Sequence, residues 1–394
     1  VNEYDVIVVG GRVAGAATSM LLSRAGLRVA LFERSRAGSD TLSTHALMRG
    51  GVLQLSRWGV LPRLVRAGTP PVHTTTFHYG DDRTTKVSIR PSPGVDALYA
   101  PRRHLLDRVL VEGAAESGSE VHNATPVLGL LRADDGRVQG VRIRGRDGRE
   151  VRVRAALTVG ADGIGSLVAR EAGAPVVHRG RAASAVLYRY VADLPAHGYS
   201  WGYGNAVGAG MIPTNDSETC VFVSCTPTRM KHLRRAGVES AFDCLLEATP
   251  AAIRDAVRAG ATQGEVHGWR GMPGYVRRPF GPGWALVGDA GYFKDPITTH
   301  GLTDALRDAE LLADAVTRMS AGAPARTAFA EYEDTRNRLS NALAAVTEAV
   351  CRYDWSEDQI QVLLRRVSSA MSDEVDHLTA RLQRPLDPVR SGVS

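Results

Sequence analysis

The stretch VIVVGGRVAGAATSMLL, residues 6–22, runs an apolar strand into a turn and then into small, helix-forming residues. A phosphate-binding strand–turn–helix wants glycine at the first, third and sixth positions of its turn. Gly10 and Gly15 meet that pattern, whereas Arg12 holds the middle position. Gly10 suits a tight turn and Gly15 a close approach of helix to strand. Val13 to Ala25 is expected to be helical, with Gly26 as its C-cap. LRVALFER (27–34) reads as a second strand, which completes a βαβ unit in the first 34 residues.

Such a turn aims backbone N–H groups and the positive end of a helix at one point, and a pyrophosphate suits that point. Glu33 follows Gly15 by 18 residues. It is placed to accept hydrogen bonds from a ribose diol, the adenosine side of NAD or FAD. Arg12 has two readings. Its guanidinium reaches phosphate or flavin, or it points into solvent.

The chain has 394 residues, 44% hydrophobic and 23% charged, which suits a soluble globular protein of two packed domains. No apolar run approaches the roughly 20 residues of a membrane span, and no signal peptide is recognised, so a cytoplasmic location without membrane insertion is expected. The net charge is +6, but the arginines alternate with apolar residues, as in VRIRGRDGREVRVR (141–154). That is a solvated strand face, and no nucleic-acid partner is expected. Cys220, Cys225, Cys244 and Cys351 lack a C-x-x-C spacing, and His73 and His78 would face opposite ways on a strand. No metal site is expected.

Further along, 101–118 reads as helix, and the Asp-Gly pairs at 135–136 and 147–148 mark hairpins. Residues 183–194, 200–214 and 219–227 read as strands of a broad sheet, with 238–260 as a helix. From 284 the pattern returns to strand, long loop and helix, then helices to about 380 and a polar tail. Two stretches resemble further turns of one nucleotide site. In GADGIGSLVAR (160–170), Asp162-Gly163 closes a strand and Ser166 can cap a helix; alone it is an ordinary turn. In GDAGYFKDPITTHGLTDALRDA (288–309), Asp289 could bond a chain of hydroxyls. There Gly301-Leu302 opens a helix whose N–H groups could meet an anionic oxygen.

With all three stretches in order, the chain resembles the class A FAD-dependent monooxygenases, the p-hydroxybenzoate-hydroxylase-like superfamily, over about residues 4–340. Arg103 to Leu106 fits its Arg-x-x-Leu helix start, and Tyr332-Glu333 to Arg336 its later helix. The resemblance implies an α/β fold: a Rossmann-like FAD-binding domain with an inserted β-sheet substrate domain and C-terminal helices. Residues 1–75, 96–182 and 276–330 would form the first, 76–95 and 183–275 the second, and 331–394 the helical remainder. Gly10, Gly11, Arg12, Val13, Ala14, Gly15, Glu33 and Arg34 would surround the ADP half, with Arg103, Val127 and Asp162 along the cofactor. Asp289 would take the ribityl chain, and the Gly301 and Leu302 amides the N1–C2=O2 edge of the flavin.

The implied reaction uses NAD(P)H and O2. A flavin C4a-hydroperoxide would hydroxylate or epoxidise an apolar, aromatic type of small molecule. His45 and His300 are candidate proton handlers, each with a structural hydrogen bond as the alternative. Arg49 and Thr299 are candidate substrate contacts. The sequence departs from the family at Tyr292, Thr299, His300 and Thr303, where the family has histidine, glycine, glutamine and asparagine. An alkene reductase of the geranylgeranyl-reductase kind, or a flavin-binding protein without catalysis, therefore stays open. A tryptophan-type halogenase is disfavoured, since Gly208 and Gly210 stand where its W-x-W-x-I-P tryptophans would be, although Ile212-Pro213 and a lysine, Lys86, are present. A homodimer and a separate flavin reductase are further partners left open.

Overall fold

A computed structural model describes residues 3–145, 147–194, 197–261 and 264–381. The first apolar run forms β1 (Tyr4–Val9), which lies between β2 (Val29–Phe32) and β8 (Glu150–Gly160) and parallel to both. The sheet order is β16 (Phe280–Gly281), β17 (Trp284–Leu286), β8, β1, β2, β5 (Glu120–His122). Parallel strands covered on both faces read as continuous apolar runs. That is why Val6 to Val9 and Val29 to Phe32 are buried without alternation.

Strand β8 serves twice. Its second half pairs with β1, while Glu150 to Arg154 pair antiparallel with β7 (Val138–Arg144), which pairs with β6 (Val127–Arg132). The two expected hairpins are these, with Arg146 of the second turn outside the described residues.

The second sheet runs β14 (His267–Trp269), β10 (Ala185–Ala192), β13 (Glu218–Cys225), β12 (Val207–Pro213), β11 (Tyr199–Gly204), β3 (Thr74–Tyr79), β4 (Arg83–Ser88). Its central strands alternate with period two. Leu187, Val191, Met211, Val221 and Val223 pack beneath α6 (Pro227–Leu233), α7 (Val238–Glu247) and α8 (Ala251–Ala259). Segment 238–260 is two helices rather than the expected one. Pro250 has no N–H to continue α7, and α8 starts behind it. The opposite face carries Tyr188, Tyr190, Trp201, Tyr203 and Phe222. It meets the core under α1 (Val13–Arg24), α2 (Arg49–Arg57), α3 (Leu61–Arg66) and α4 (Arg103–Glu116).

A small third sheet joins β9 (Val176–Arg179), β15 (Tyr275–Arg277) and β18 (Tyr292–Phe293). Helix α5 (Leu167–Glu171) follows β8, and α9 (Gly301–Ser320), α10 (Ala325–Val350) and α11 (Glu357–Arg381) close the chain. Helix α9 packs on α1 and α10, and α11 on α10 and α2. Helix α10 runs unbroken across residues 330–331, so the chain turns between α9 and α10 at 321–324. The tail expected beyond residue 380 lies, from 382, outside the described residues. The architecture is the expected one: a Rossmann-like α/β sheet, a second β-sheet and C-terminal helices. Among the described residues, no helix is long and apolar enough to cross a membrane.

Candidate functional site

Three adjacent parallel strands bring the three glycine-bearing stretches together. Val9 pairs with Gly160, and Gly160 with Leu286, so the turns after β1, β8 and β17 open on one sheet edge. Ligands of open α/β sheets bind outside the carboxyl ends of the strands. Gly10 has φ +103°, and a Cβ on it would lie 2.5 Å from the Ala161 carbonyl oxygen. On Gly15 a Cβ would lie 1.8 Å from the Gly10 carbonyl oxygen. On Gly288 it would lie 3.0 Å from the Ala14 Cβ. The first turn is wedged between the other two.

Arg12 has φ −85° and ψ −170°, an extended conformation open to any residue, so the backbone here does not require glycine. Its guanidinium follows neither expected course. Nη1 donates to Asp107 Oδ2 at 3.1 Å and Nη2 to the Asp40 carbonyl at 3.2 Å. Arg103 donates to the same buried Asp107, at 3.2 and 3.3 Å. One carboxylate thus fastens two cations beside the turn. Asp107 escaped the sequence reading, although its place four residues after Arg103 is a helical pairing distance.

Helix α1 starts without a side-chain cap and without an acid in its first turn. Its first intrahelical bond runs from Ala16 N–H to the Arg12 carbonyl, so the N–H groups of Val13, Ala14 and Gly15 precede the ladder. Val13 is buried and Ala14 half-buried, while Arg34 is exposed. Val127 opens β6 against the core between the sheet and α5. Glu33 accepts from Gly11 N–H at 2.6 Å and Ser35 N–H at 2.7 Å, which pins its carboxylate beside the turn. Asp162 is turned inward. It accepts from the Ser166 hydroxyl at 2.5 Å and from Leu167 N–H at 2.6 Å, so with Ser166 it caps α5.

Asp289 differs from these acids. Among the described residues no hydrogen bond reaches its carboxylate; only its backbone carbonyl is used, by the Tyr275 hydroxyl. Burial, with Asp304 and Asp308 adding to it against Lys294 and Arg103, pushes this carboxyl up to about 7. A carboxyl raised on folding lowers stability as pH climbs from the unfolded value to the folded one. Asp289→Asn is therefore expected to raise the melting temperature of the cofactor-free protein more at pH 8 than at pH 5, as thermal unfolding at the two pH values would show. Nearby, α9 also begins without a side-chain cap. Its first bond is Asp304 N–H to the His300 carbonyl at 2.9 Å. A Cβ on exposed Gly301 would touch nothing within 4 Å, so the helix start faces open space.

The residues present fit FAD. A glycine cradle lies against an uncapped helix start, an unbonded carboxylate stands beside it, and a second uncapped helix start completes the edge.

Thr299 has φ +50°, a left-handed conformation that costs a β-branched residue and explains why glycine suits this position. His45 also has positive φ, +65°, and is buried. Its Nε2 is hydrogen-bonded to the Tyr190 hydroxyl, and its Nδ1 has no partner. Burial, helped by the charges of Arg103 and Arg102, pushes the imidazole down to about 3, so it is neutral at neutral pH. Arg102 lies 3.8 Å over the Tyr190 ring. Tyr190 carries no signal in the sequence beyond its place on a strand. Arg49 is tied elsewhere: it donates to the Arg90 carbonyl at 2.9 Å and the Ser92 hydroxyl at 2.7 Å.

His300 belongs to a buried network that sequence reasoning missed. Its Nε2 meets Glu374 Oε2 at 2.5 Å, and its Nδ1 has no partner. Arg307 donates to Asp304 at 2.9 Å, to Asp308 at 2.8 Å and to Glu374 at 2.8 Å, and Lys294 donates to Asp304. Burial would raise the Asp304 carboxyl, but Lys294 and Arg307 hold it down to about 2. His300, Asp304 and Glu374 place ligand atoms within 4.8 Å of one another. The two carboxylates already face the chain's own cations, so the grouping is an ion-pair network. The acid and arginine of TDALRD lie on one helical face, a signal available in sequence; Glu374, on a polar helix, offered none.

Comparison with known proteins agrees with this geometry. The FAD binding domain family matches residues 3–347. Digeranylgeranylglycerophospholipid reductase 2 of Methanopyrus kandleri is 29% identical over 332 residues, 77% of this chain and 74% of that protein. Squalene epoxidase 3 of Arabidopsis thaliana is 27% identical over 320 residues, 79% of this chain, and the match spans 60% of that relative's length. The structure of the myxobacterial chondrochloren halogenase CndH shares the fold, with a TM-score of 0.79 at 23% identity over 96% of this chain and 89% of that one. With its three turns joined on one sheet edge and the match running through nearly the whole described chain, this protein belongs to the FAD binding domain family of FAD-dependent oxidoreductases.

Proposed function

We propose that the chain is an FAD-dependent monooxygenase that takes reducing equivalents from NAD(P)H and inserts oxygen into an apolar, aromatic type of small molecule. The observation that carries the reading is the aromatic face of the second sheet. Tyr188, Tyr190, Trp201 and Phe222 lie buried on the side that meets the 39–47 loop and the turn before α9. A Cβ on Gly208 would lie 3.1 Å from Ile297 Cδ1 of that turn, so the sheet packs directly over it. When bound, FAD supplies the acceptance of hydride and the activation of oxygen.

The chain supplies binding, orientation and a dry wall. The N–H groups at the start of α1 would hold the pyrophosphate, Asp289 a sugar-like hydroxyl, and the start of α9 the electron-rich edge of the ring. Arg103, fixed by Asp107, would lie along the cofactor. Neutral His45 and the Tyr190 hydroxyl, whose phenol burial pushes up, hold one shared proton between uncharged partners. That pair sets two polar groups in the buried aromatic face. A tryptophan-type halogenase arrangement fits poorly: a Cβ on Gly210 would lie 2.4 Å from the Phe222 ring and 2.9 Å from that of Trp201.

A second reading, reduction of an alkene, is favoured by the altered loop at Thr299, His300 and Thr303 and by the likeness to the prenyl-lipid reductase. The purified protein is expected to be yellow, to bleach with NADPH without air, and to regain colour with air. In the absence of substrate, it should release about one hydrogen peroxide per NADPH. Bleaching only with an artificial or separate reductant would favour the reductase or a two-component system. A chain that takes up no FAD would overturn the reading.

A further inference from the structure

Glu374 lies on α11, about 70 residues beyond the last flavin-type motif, yet its side chain is 2% exposed. It grips α9 at two points. Oε2 meets Nε2 of His300, the residue just before the free Gly301 and Leu302 amides, at 2.5 Å. Oε1 accepts from Arg307 Nη1, two turns along the same helix, at 2.8 Å. Arg307 also bonds Asp304, and Asp304 takes Lys294 from the strand side of the loop. The start of α9 is therefore held from both ends of the 294–307 segment.

An independent feature on α2 makes room for this grip. A Cβ on Gly50 would lie 3.0 Å from Thr303 Cγ2 and 3.3 Å from Glu374 Oε2, and one on Gly51 2.9 Å from Thr303 Oγ1. A glycine pair on one helix thus lets two others close on each other. Thr299, in its left-handed conformation immediately before His300, needs such surroundings, because a strained residue persists only where its neighbours over-determine it.

We propose that Glu374 is a positioning residue of the flavin site, holding His300 and Arg307 so that the first turn of α9 presents its free N–H groups to the flavin edge. The inference rests on the FAD reading above. It makes α11 part of the site's second layer rather than a cover laid on the outside.

Glu374→Gln in the full chain keeps the size of the side chain and removes its charge. Two readouts apply: FAD affinity by titration, and amide hydrogen exchange of the cofactor-free protein. The FAD Kd is expected to rise about tenfold, the loss of one charge-assisted hydrogen bond. Exchange at residues 304–307, the first amides bonded within α9, should quicken by a similar factor, with β10 unchanged. An unchanged Kd, with faster exchange confined to α11, would overturn the proposal while leaving the FAD reading intact. A wild-type chain that binds no FAD would remove both. If Glu374→Gln does not purify folded, His300→Leu removes the donor to Glu374 from the loop side, and the same outcomes decide.

Discussion

Alanine at position 15 is expected to abolish FAD binding at any practical concentration and to lower the melting temperature by about 5 °C or more. The cause is a backbone collision. The added Cβ would lie 1.8 Å from the Gly10 carbonyl oxygen and 3.0 Å from the Ala161 Cβ, and neither the strand end nor the turn after β8 can yield separately. Separating α1 from β1 far enough to relieve it costs about 3 kcal/mol, the upper range for overpacking a well-filled core. The same movement spoils the N–H groups that would meet the pyrophosphate. Thermal unfolding by circular dichroism, with an FAD titration on the same preparation, measures both. Wild-type affinity in Gly15→Ala would mean that the ligand lies elsewhere.

Arg307→Met should be the most destabilising change away from the glycine turn, by about 3–5 kcal/mol, the usual cost of removing one partner from a buried ion network. It leaves Asp304, Asp308 and Glu374 buried, with Lys294 and Arg336 as the neighbouring cations. The pH dependence gives a sharper test. In the wild type the Asp304 carboxyl, ordinarily near 3.8, is held at about 2, so its contribution is complete above the unfolded value and fades as pH falls toward 2. Without Arg307, burial dominates and pushes the carboxylates upward. Acids raised on folding lose stability as pH rises, so the deficit should be smaller at pH 5 than at pH 8. Melting temperatures of both proteins at the two pH values check this; an equal deficit would show that the network is not what Arg307 stabilises.

Much of the site was legible because it lies in local patterns. The apolar runs 6–9 and 29–32 have the length and pattern of buried strands, and Gly10 and Gly15 punctuate them where a turn and a close packing demand it. Asp289 follows a third such strand. The Ser166 cap and both Asp-Gly hairpins needed only a few consecutive residues. What misled was also local: the helical pattern of 238–260 hid the stop at Pro250, and Arg12 looked like an obstacle because its φ and its partner could not be known.

The partners of side chains were a different matter. Arg12 and Arg103 are 91 positions apart yet share Asp107, and His45 finds Tyr190 across 145 residues. His300 finds Glu374 across 74. Periodicity and turn chemistry are carried by neighbours in the chain, so the amino-acid sequence by itself determined the strands, the turns and a dinucleotide-type site, and the resemblance of the three stretches narrowed it to FAD. Which charges meet in the interior depends on how sheets and helices pack. The tertiary structure alone decided that Arg12 and Arg103 share Asp107, that Asp289 stays unbonded, and that the last helix reaches back to the first turn of α9.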